Sequence, residues 1–280
     1  MSIRPLASLT TAPTQGTRRL ATAAAYGIAE EPVAEEPWVA TYQGRRVTAG
    51  STSDHGPLTL HGARRSVERM RGDPLCPRCH GKLRSPSVWE ASWTCPVHGR
   101  VEPLWPFAQP STEFITWLAD EIQLPAWLPW PLPHGWVLTG AGYAGRDPKS
   151  ARASVVACSG PNPLGGAGEL MLVAEDMGVG VGAGYAALPG PDPGESIGRG
   201  GPQAKVEAAG RLTPLWVVPG PDDRAIYVGE AEGHWLWLVF YPETAGALLL
   251  DLLQLADMRG LGHEIELLPY GALTPRMYEP

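Results

Sequence analysis

Cysteine is scarce in this chain of 280 residues, which contains only four. Three of them fall in a single motif, so a framework of disulfides is excluded and the composition favours a reducing cytoplasm. No run of about 18 apolar residues is present, so a membrane-spanning helix is not predicted. The glycine-rich run at 178–184 matches neither common phosphate-binding motif, and we therefore predict a tight loop there.

Signatures of catalysis are also missing. Cys158 ends a predicted strand, where a nucleophile can sit, but the sequence offers no histidine partner, so a buried structural thiol is the simpler interpretation. Glu169, Glu175 and Asp176 bracket another predicted strand, where they could act as acid and base or bind a cation. The remaining histidines are scattered singly, at positions that include 134, 234 and 263. An enzyme is therefore the weaker interpretation, though it stays open.

A metal-binding motif is present at residues 76–98. Two residues separate Cys76 from Cys79 and Cys95 from His98, and fifteen residues lie between the two pairs. A glycine follows each pair within two positions, and it can take the positive φ that turns backbone amides toward thiolate sulfurs. Three thiolates and one imidazole complete a tetrahedral set with no open position for substrate or water. The motif predicts a zinc ribbon with a structural Zn²⁺.

Other interpretations of this motif stay open. Cys76 to His80 also matches the C-x-x-C-H pattern of haem c attachment, but that leaves Cys95 and His98 unexplained. A redox pair would need a βαβ context, whereas short strands and turns are predicted here. His80 could replace His98 as the fourth ligand, although its adjacency to Cys79 makes the geometry awkward.

Charge is unevenly distributed along the chain. Residues 62–101 carry eight Lys or Arg against three Asp or Glu, whereas residues 102–280 carry nine against twenty-one. A basic ribbon on an acidic body either contacts an acidic partner such as nucleic acid or docks on its own domain. The net charge of −7 disfavours the first. Trp89 and Trp93 have an even spacing before Cys95, so we expect both on one face, covering the metal or docking on the rest of the protein.

Three parts are predicted along the chain. Residues 1–69 contain few apolar residues with any period, so we expect a disordered tail, which lies upstream of the true start if that start is Met70. Residues 70–104 form the zinc ribbon, and residues 111–275 form an α+β domain. The last residues of the chain are expected to fray.

The fold class is predicted as α+β, with a mostly antiparallel sheet packed with two helices. One helix is predicted at 111–122, where Ser111 is the N-cap, and a second at 242–260, between a proline suited to the first turn and a terminal glycine. Alternating apolar residues predict strands, which we place at 136–143, 153–158, 169–174, 212–218, 224–229 and 234–241, with an edge strand at 265–268.

Residues 125–136 combine prolines with tryptophans. Proline lacks the donor N–H, so this segment is neither a helix nor a central strand. We expect an ordered apolar loop whose tryptophans either plug the core or line a groove for a ligand or an extended peptide. The candidate ligand or partner surface therefore comprises six residues: Trp127, Trp130, His134, Trp136, Cys158 and Glu169.

Residues 70–79, 95–99, 130–136 and 157–166 together resemble a family of actinobacterial proteins. Members of that family combine an N-terminal zinc ribbon with a C-terminal domain of unknown function, and the resemblance covers roughly residues 70–275. Some members are labelled phosphotransacetylase, so the resemblance implies acyl or phosphoryl transfer as an alternative activity.

The sequence as a whole favours a non-enzymatic cytoplasmic binding or adaptor protein that contacts a protein partner or a small ligand. A transfer enzyme with its site around residues 158–168 is the second hypothesis. Nucleic-acid binding by the basic ribbon, through Arg78, Lys82 and Arg84, is the third.

Overall fold

Two sheets of unequal size organise the part of the chain that the structure describes, residues 71–195 and 197–279 of a computed structural model. The predicted tail at 1–69 and the alternative start at Met70 lie outside these residues. Among the described residues, no helix has both the length and the apolar character needed to cross a membrane.

The small sheet is a hairpin of two short strands, β1 (Thr94–Cys95) and β2 (Gly99–Arg100), in which Cys95 lies opposite Gly99. The chain before this hairpin is tied to the chain after it, because Leu75 and Leu104 exchange backbone hydrogen bonds of 2.8 Å in both directions. The segment that contains the metal-binding motif is therefore anchored to the large sheet at its base.

The large sheet has ten strands, in the order β3-β5-β6-β7-β11-β10-β9-β8-β12-β4. Neighbouring strands are antiparallel except β8 and β12, which are parallel. The sheet-rich, mostly antiparallel fold is therefore confirmed. The strands are β3 (Leu104–Pro106), β4 (Trp127–Pro129), β5 (Val137–Ala144), β6 (Ala153–Pro161), β7 (Ala167–Glu175), β8 (Ala204–Ala208), β9 (Arg211–Val217), β10 (Ala225–Ala231), β11 (His234–Tyr241) and β12 (Leu253–Asp257).

Alternation of apolar side chains buries both faces of the central strands. In β7, Leu170 and Leu172 belong to one core and Met171 and Val173 to the other. The sheet also curls, because β9 pairs with β8 along its first half and with β10 at its end, and β4 packs against β6 and β7. The first core lies inside this curl, and the second lies on the outer face.

The first predicted helix is confirmed as α1 (Thr112–Glu121), which covers the first core. The hydroxyl of Ser111 accepts a hydrogen bond of 3.4 Å from the backbone N–H of Phe114, and this satisfies one of the free donors of the first turn. Phe114, Ile115 and Leu118 form its buried face.

The second predicted helix, at 242–260, is wrong. The chain forms a 3₁₀ helix over Glu243–Leu250, the strand β12, and another 3₁₀ turn over Met258–Gly260. Leucines at many positions fit a helical period, but pairing of β12 with β8 and β4 decides the outcome by burying Leu253 and Leu255 on alternate positions. The predicted edge strand at 265–268 is also wrong, since a 3₁₀ helix spans Gly262–Leu267.

The C-terminal residues do not fray, contrary to expectation. The backbone N–H groups of Gly271 and Thr274 donate to the carbonyls of Leu138 and Thr139 in β5, each at 2.9 Å. Met277 is fully buried beside Gly140, where a Cβ would approach its Cγ to 2.7 Å. This path carries Arg276 to the start of β7, beside Glu169.

Candidate metal centre and ligand cleft

The four motif residues Cys76, Cys79, Cys95 and His98 converge, with one ligand atom from each lying within 4.8 Å of the others. The Nδ1 atom of His98 lies 3.5 Å from Sγ of Cys76 and 3.7 Å from Sγ of Cys95. The two sulfurs of Cys79 and Cys95 are 3.8 Å apart. These residues could bind a metal ion, and no other such cluster of His, Cys, Asp and Glu occurs in the described residues.

Backbone geometry presents the ligands in two knuckles. In the second knuckle, Gly99 takes a φ of 70°, as its position predicts, and the N–H of Val97 donates to Sγ of Cys95 at 3.4 Å. In the first knuckle, His80 takes the positive φ, 52°, instead of Gly81. The N–H of His80 donates to the Cys76 carbonyl at 2.9 Å, which closes the turn.

Burial shifts the pKa of Cys76, which belongs to the cluster, and of His80, which lies beside it. Burial raises the pKa of the Cys76 thiol to about 12, so a positive ion is needed to hold it as a thiolate at neutral pH. Burial also lowers the pKa of His80 to about 4, which keeps this imidazole neutral. His80 does not join the cluster; its ring packs on the ring of Tyr185, with centroids 4.8 Å apart.

The first knuckle rests on the glycine-rich run, which is not the predicted loop but a short helix, α2 (Val181–Tyr185). Pro77 and Arg78 lie directly against it: a Cβ at Gly180 would approach Cγ of Arg78 to 2.8 Å, and one at Gly184 would overlap the carbonyl oxygen of Pro77. At Gly184 two backbones approach each other so closely that only glycine fits. Residues 75–100, which contain the four candidate metal ligands, are called the metal-binding segment below. The glycine-rich run is the surface on which this segment packs, and we call it the seat of the segment.

Glu175 holds the start of this helix. Its carboxyl oxygens accept hydrogen bonds from the N–H groups of Gly180 at 3.0 Å, Val181 at 2.7 Å and Gly182 at 3.2 Å. Burial raises the pKa of Glu175 to about 8, against the three N–H donors, which favour the ionised form. The backbone N–H groups that a phosphate would need at the start of α2 thus already donate to Glu175.

A cleft of about 850 Å³ opens at the hairpin between β6 and β7. Its apolar walls include Val137, Pro161, Ala167 and Pro242, while Ser159, Glu169, Asp223 and Arg276 supply polar groups. The C-terminal segment closes one side, and this places Arg276 beside the carboxylate of a residue 107 positions earlier.

The polar groups of the cleft hold one another in place. Glu169 accepts hydrogen bonds from Nε of Arg276 at 2.5 Å, from the hydroxyl of Thr274 at 2.7 Å and from that of Ser159 at 3.4 Å. The Arg276 guanidinium lies 3.9 Å from the ring centroid of Tyr241. Burial raises the pKa of Tyr241 to about 12, so this phenol remains protonated.

A family profile matches residues 70–277, which include both the metal-binding cluster and the cleft, and it is described as "Family of unknown function (DUF6758)". The chain belongs to DUF6758. Comparison with curated proteins and comparison with solved structures each gave no match.

The six residues that the sequence of this DUF6758 protein predicts for a ligand or partner surface differ in their exposure to solvent. Trp127 and Cys158 are fully buried in the first core, so neither can contact a partner, and burial raises the pKa of the Cys158 thiol to about 12. Trp136 is also buried, and its Nε1 donates to the carbonyl of Pro161 at 3.1 Å.

Three of the six expected residues remain accessible. Trp130 is half-buried and packs against the first core, and His134 is exposed. Glu169 is the member of the predicted set that lines the cleft. The sequence missed Arg276 and Tyr241, since no motif surrounds either residue.

Acidic residues around β7 do not share a site. Asp176 accepts from Nε of Arg152 at 3.1 Å and lies 3.0 Å from Nδ1 of His234, whereas Glu175 and Glu169 have the separate partners described above. The acid and base pair or cation site considered from the sequence is therefore absent from the described residues. The two tryptophans that precede Cys95 do not share one environment as expected: Trp93 contacts Trp105 edge to face at 5.7 Å, but Trp89 is 92% exposed.

Replacement of Gly184 by alanine is expected to weaken the seat of the metal-binding segment in this DUF6758 protein. The added Cβ would overlap the Pro77 carbonyl, and overpacking of this kind costs roughly 1–3 kcal/mol. Hydrogen exchange of residues 75–100 should become faster than in the wild type. Gly190→Ala is the control, since its Cβ would meet nothing closer than 3.8 Å. Equal exchange rates in both variants would contradict the contact.

Proposed function

We propose that this DUF6758 protein is a non-enzymatic cytoplasmic binding protein that takes a small, mostly apolar ligand with one polar group. The observation that carries the proposal is the cleft of about 850 Å³, in which polar groups are already fixed between apolar walls. Ligand sites of this size, largely preformed and with few polar groups, are typical of small-molecule binding. In this proposal a zinc ribbon stabilises the chain beside the sheet.

Interatomic distances support zinc as the metal. With Zn–S bonds of about 2.3 Å and a Zn–N bond of about 2.0 Å, a tetrahedral site requires sulfurs about 3.8 Å apart and sulfur to nitrogen distances of about 3.5 Å. Cys79 and Cys95 have sulfurs 3.8 Å apart, and His98 lies 3.5 Å and 3.7 Å from two sulfurs. Four protein ligands leave no open position, which supports a structural role, and cysteines that form no disulfide suit a reducing cytoplasm.

Fixed polar groups support the choice of ligand. The Glu169 carboxylate and the Arg276 guanidinium are paired, so the cleft does not favour a strongly charged molecule. The Ser159 hydroxyl and the outer edges of this pair can orient one polar group of the ligand. The walls of the cleft then cover the apolar part of the ligand. Desolvation of apolar surface supplies most of the affinity in such sites.

The two alternatives have less support. The transfer enzyme would need an accessible nucleophile, and burial of Cys158 disfavours a thiol, which leaves only a version that uses Glu169. For nucleic-acid binding, Lys82 and Arg84 are exposed on the ribbon, but Arg78 donates to the Pro189 carbonyl at 3.2 Å and faces the sheet. Neither alternative explains the cleft.

The proposed ligand is tested by filling the cleft. Ala167 is exposed and lies on its wall, so Ala167→Trp should occupy the space without disturbing the core. We expect native mass spectrometry of untagged protein, enriched gently from its host, to show one zinc and one small adduct in the wild type. In Ala167→Trp the adduct should fall at least tenfold while the zinc remains.

Leu212→Trp is the matched control, since Leu212 is 63% exposed on β9 and does not line the cleft. It should keep the adduct at the wild-type level. An adduct that survives Ala167→Trp would contradict the cleft as its site. A second protein bound in place of a small molecule would instead support the adaptor interpretation.

A further inference from the structure

A second cavity, of about 190 Å³, lies between the metal-binding segment and the large sheet, and four arginines line it. Arg78 belongs to the first knuckle and Arg100 directly follows the second. Arg146 and Arg152 lie in the turn that connects β5 to β6. We name this cavity the arginine seam. Its four arginines are up to 74 positions apart, and the fold alone brings them together.

Only two of these guanidinium groups have carboxylate partners. Arg100 pairs with Glu90 at 3.2 Å and Arg152 with Asp176 at 3.1 Å, and both pairs are largely exposed to solvent. Arg78 and Arg146 pair with no carboxylate among residues 71–195 and 197–279. Among the described residues, the four arginines of the arginine seam therefore outnumber the three carboxylates beside them, those of Glu90, Glu102 and Asp176.

Arg78 is held in a position to receive a ligand. Its stem packs against Gly180, and its Nη2 donates to the carbonyl of Pro189 at 3.2 Å. Its Nε is buried and has no hydrogen-bond partner in the described part of the chain. The guanidinium of Arg78 has further N–H donors besides the one that contacts Pro189, and an acceptor in the seam that reaches one of them gains the energy of a charge-assisted hydrogen bond. Glu102 is the one carboxylate on the wall of the seam.

From this arrangement we infer that the arginine seam binds a phosphate group, either inorganic phosphate or the end of a small phosphomonoester. Planar guanidinium forks match the oxygens of a phosphate, and several forks can share one group that carries nearly two negative charges. A volume of about 190 Å³ admits a phosphate with a few further atoms but not a folded polyanion. This site is separate from the ligand cleft and does not depend on the ligand proposed for it.

The metal should control this site. Arg78 lies between the ligands Cys76 and Cys79, and Arg100 is two residues beyond His98, so both arginines are positioned by the knuckles. Arg146 and Arg152 are held by the sheet. Loss of the metal would release Arg78 and Arg100 and leave Arg146 and Arg152 in place. The phosphate affinity is thus expected to report whether the ribbon is folded.

Isothermal titration of the zinc-loaded full-length protein with inorganic phosphate, and separately with glycerol phosphate, tests the inference. We expect saturable binding that Arg146→Gln weakens by about tenfold or more, which is the usual effect of removing one charge-assisted contact. Arg146 is exposed, so the variant should fold, and its zinc content verifies this. Arg199→Gln is the control, since Arg199 is exposed elsewhere and pairs with Glu195; it should bind as the wild type does.

The two phosphate sources distinguish the occupants: binding of glycerol phosphate alone identifies a phosphomonoester, and binding of both identifies the phosphate group itself. Wild-type affinity in Arg146→Gln would overturn the site, as would an equal loss in Arg199→Gln. Binding of a single-stranded oligonucleotide with no binding of either small phosphate would also overturn it. Chelated protein should lose the affinity, and unchanged binding after chelation would refute the role of the two ribbon arginines.

Discussion

Removal of the metal, by a chelator or by Cys79→Ser, is expected to unfold residues 75–100 while the large sheet stays folded. This segment contains only two strands of two residues each, β1 and β2, so it has little apolar surface to bury. The structural zinc that we propose would supply roughly 10 kcal/mol or more of folding free energy to this segment. Neither core cluster of the sheet includes a residue from this segment, so its packing should survive.

Hydrogen exchange with mass spectrometry measures this directly. Protection at residues 75–100 should collapse on chelation, and protection in β6 and β7 should change little. Cys158→Ala is the control for loss of a thiol: Cys158 lies in the first core, so this variant should lose stability but retain one bound metal. Protection of residues 75–100 that is the same with and without metal would contradict a structural role for the ion.

Replacement of Glu175 by alanine is expected to destabilise the protein by roughly 3–5 kcal/mol. The change leaves the N–H groups of Gly180, Val181 and Gly182 without an acceptor, and each buried unsatisfied group costs about 1–3 kcal/mol. Because α2 carries Tyr185, against which His80 packs, the metal-binding segment should also loosen. Denaturant unfolding gives the loss of free energy. Glu175→Gln keeps one acceptor oxygen and should lose less, and equal stability of all three proteins would contradict the contact.

The same carboxyl predicts a pH dependence of stability. Its pKa is raised to about 8 in the folded protein and is near 4.5 in the unfolded chain, so between these values only the folded state carries the proton. The folded state then binds more protons than the unfolded state, and stability falls as pH rises from 5 to 8, by at most about 1.4 kcal/mol per pH unit from this group. Relative to Glu175→Gln, the wild type should lose stability over this range. A constant difference between the two would indicate that Glu175 is ionised throughout.

Features that depend on neighbouring residues were predictable. The metal ligands follow from two short spacings, since a turn of four residues aims both side chains at one ion. The start of α1 follows from Ser111, because the capping bond joins residues three apart. Strands β5, β6, β7 and β11 follow from apolar residues bounded by turn residues.

Errors arose where pairing between distant segments overrides a local pattern. The leucines of β12 fit a helical period, but a parallel partner at β8 and an antiparallel one at β4 offer the backbone better hydrogen bonds. The glycine-rich run has no helical signal of its own, and it becomes α2 because the carboxyl oxygens of Glu175 satisfy its first N–H groups.

Local patterns in this DUF6758 chain were thus sufficient to predict a sheet-rich fold, the first helix and a four-residue cluster that could bind a metal ion. Tertiary structure alone decided the cleft, the seat of the metal-binding segment and the arginine seam. Each of these depends on residues far apart in the chain, such as Glu169 and Arg276, which are 107 positions apart. Their meeting is set by strand register and by the packing of both faces of one curled sheet, and long-range contacts of that kind leave no periodic trace in the sequence.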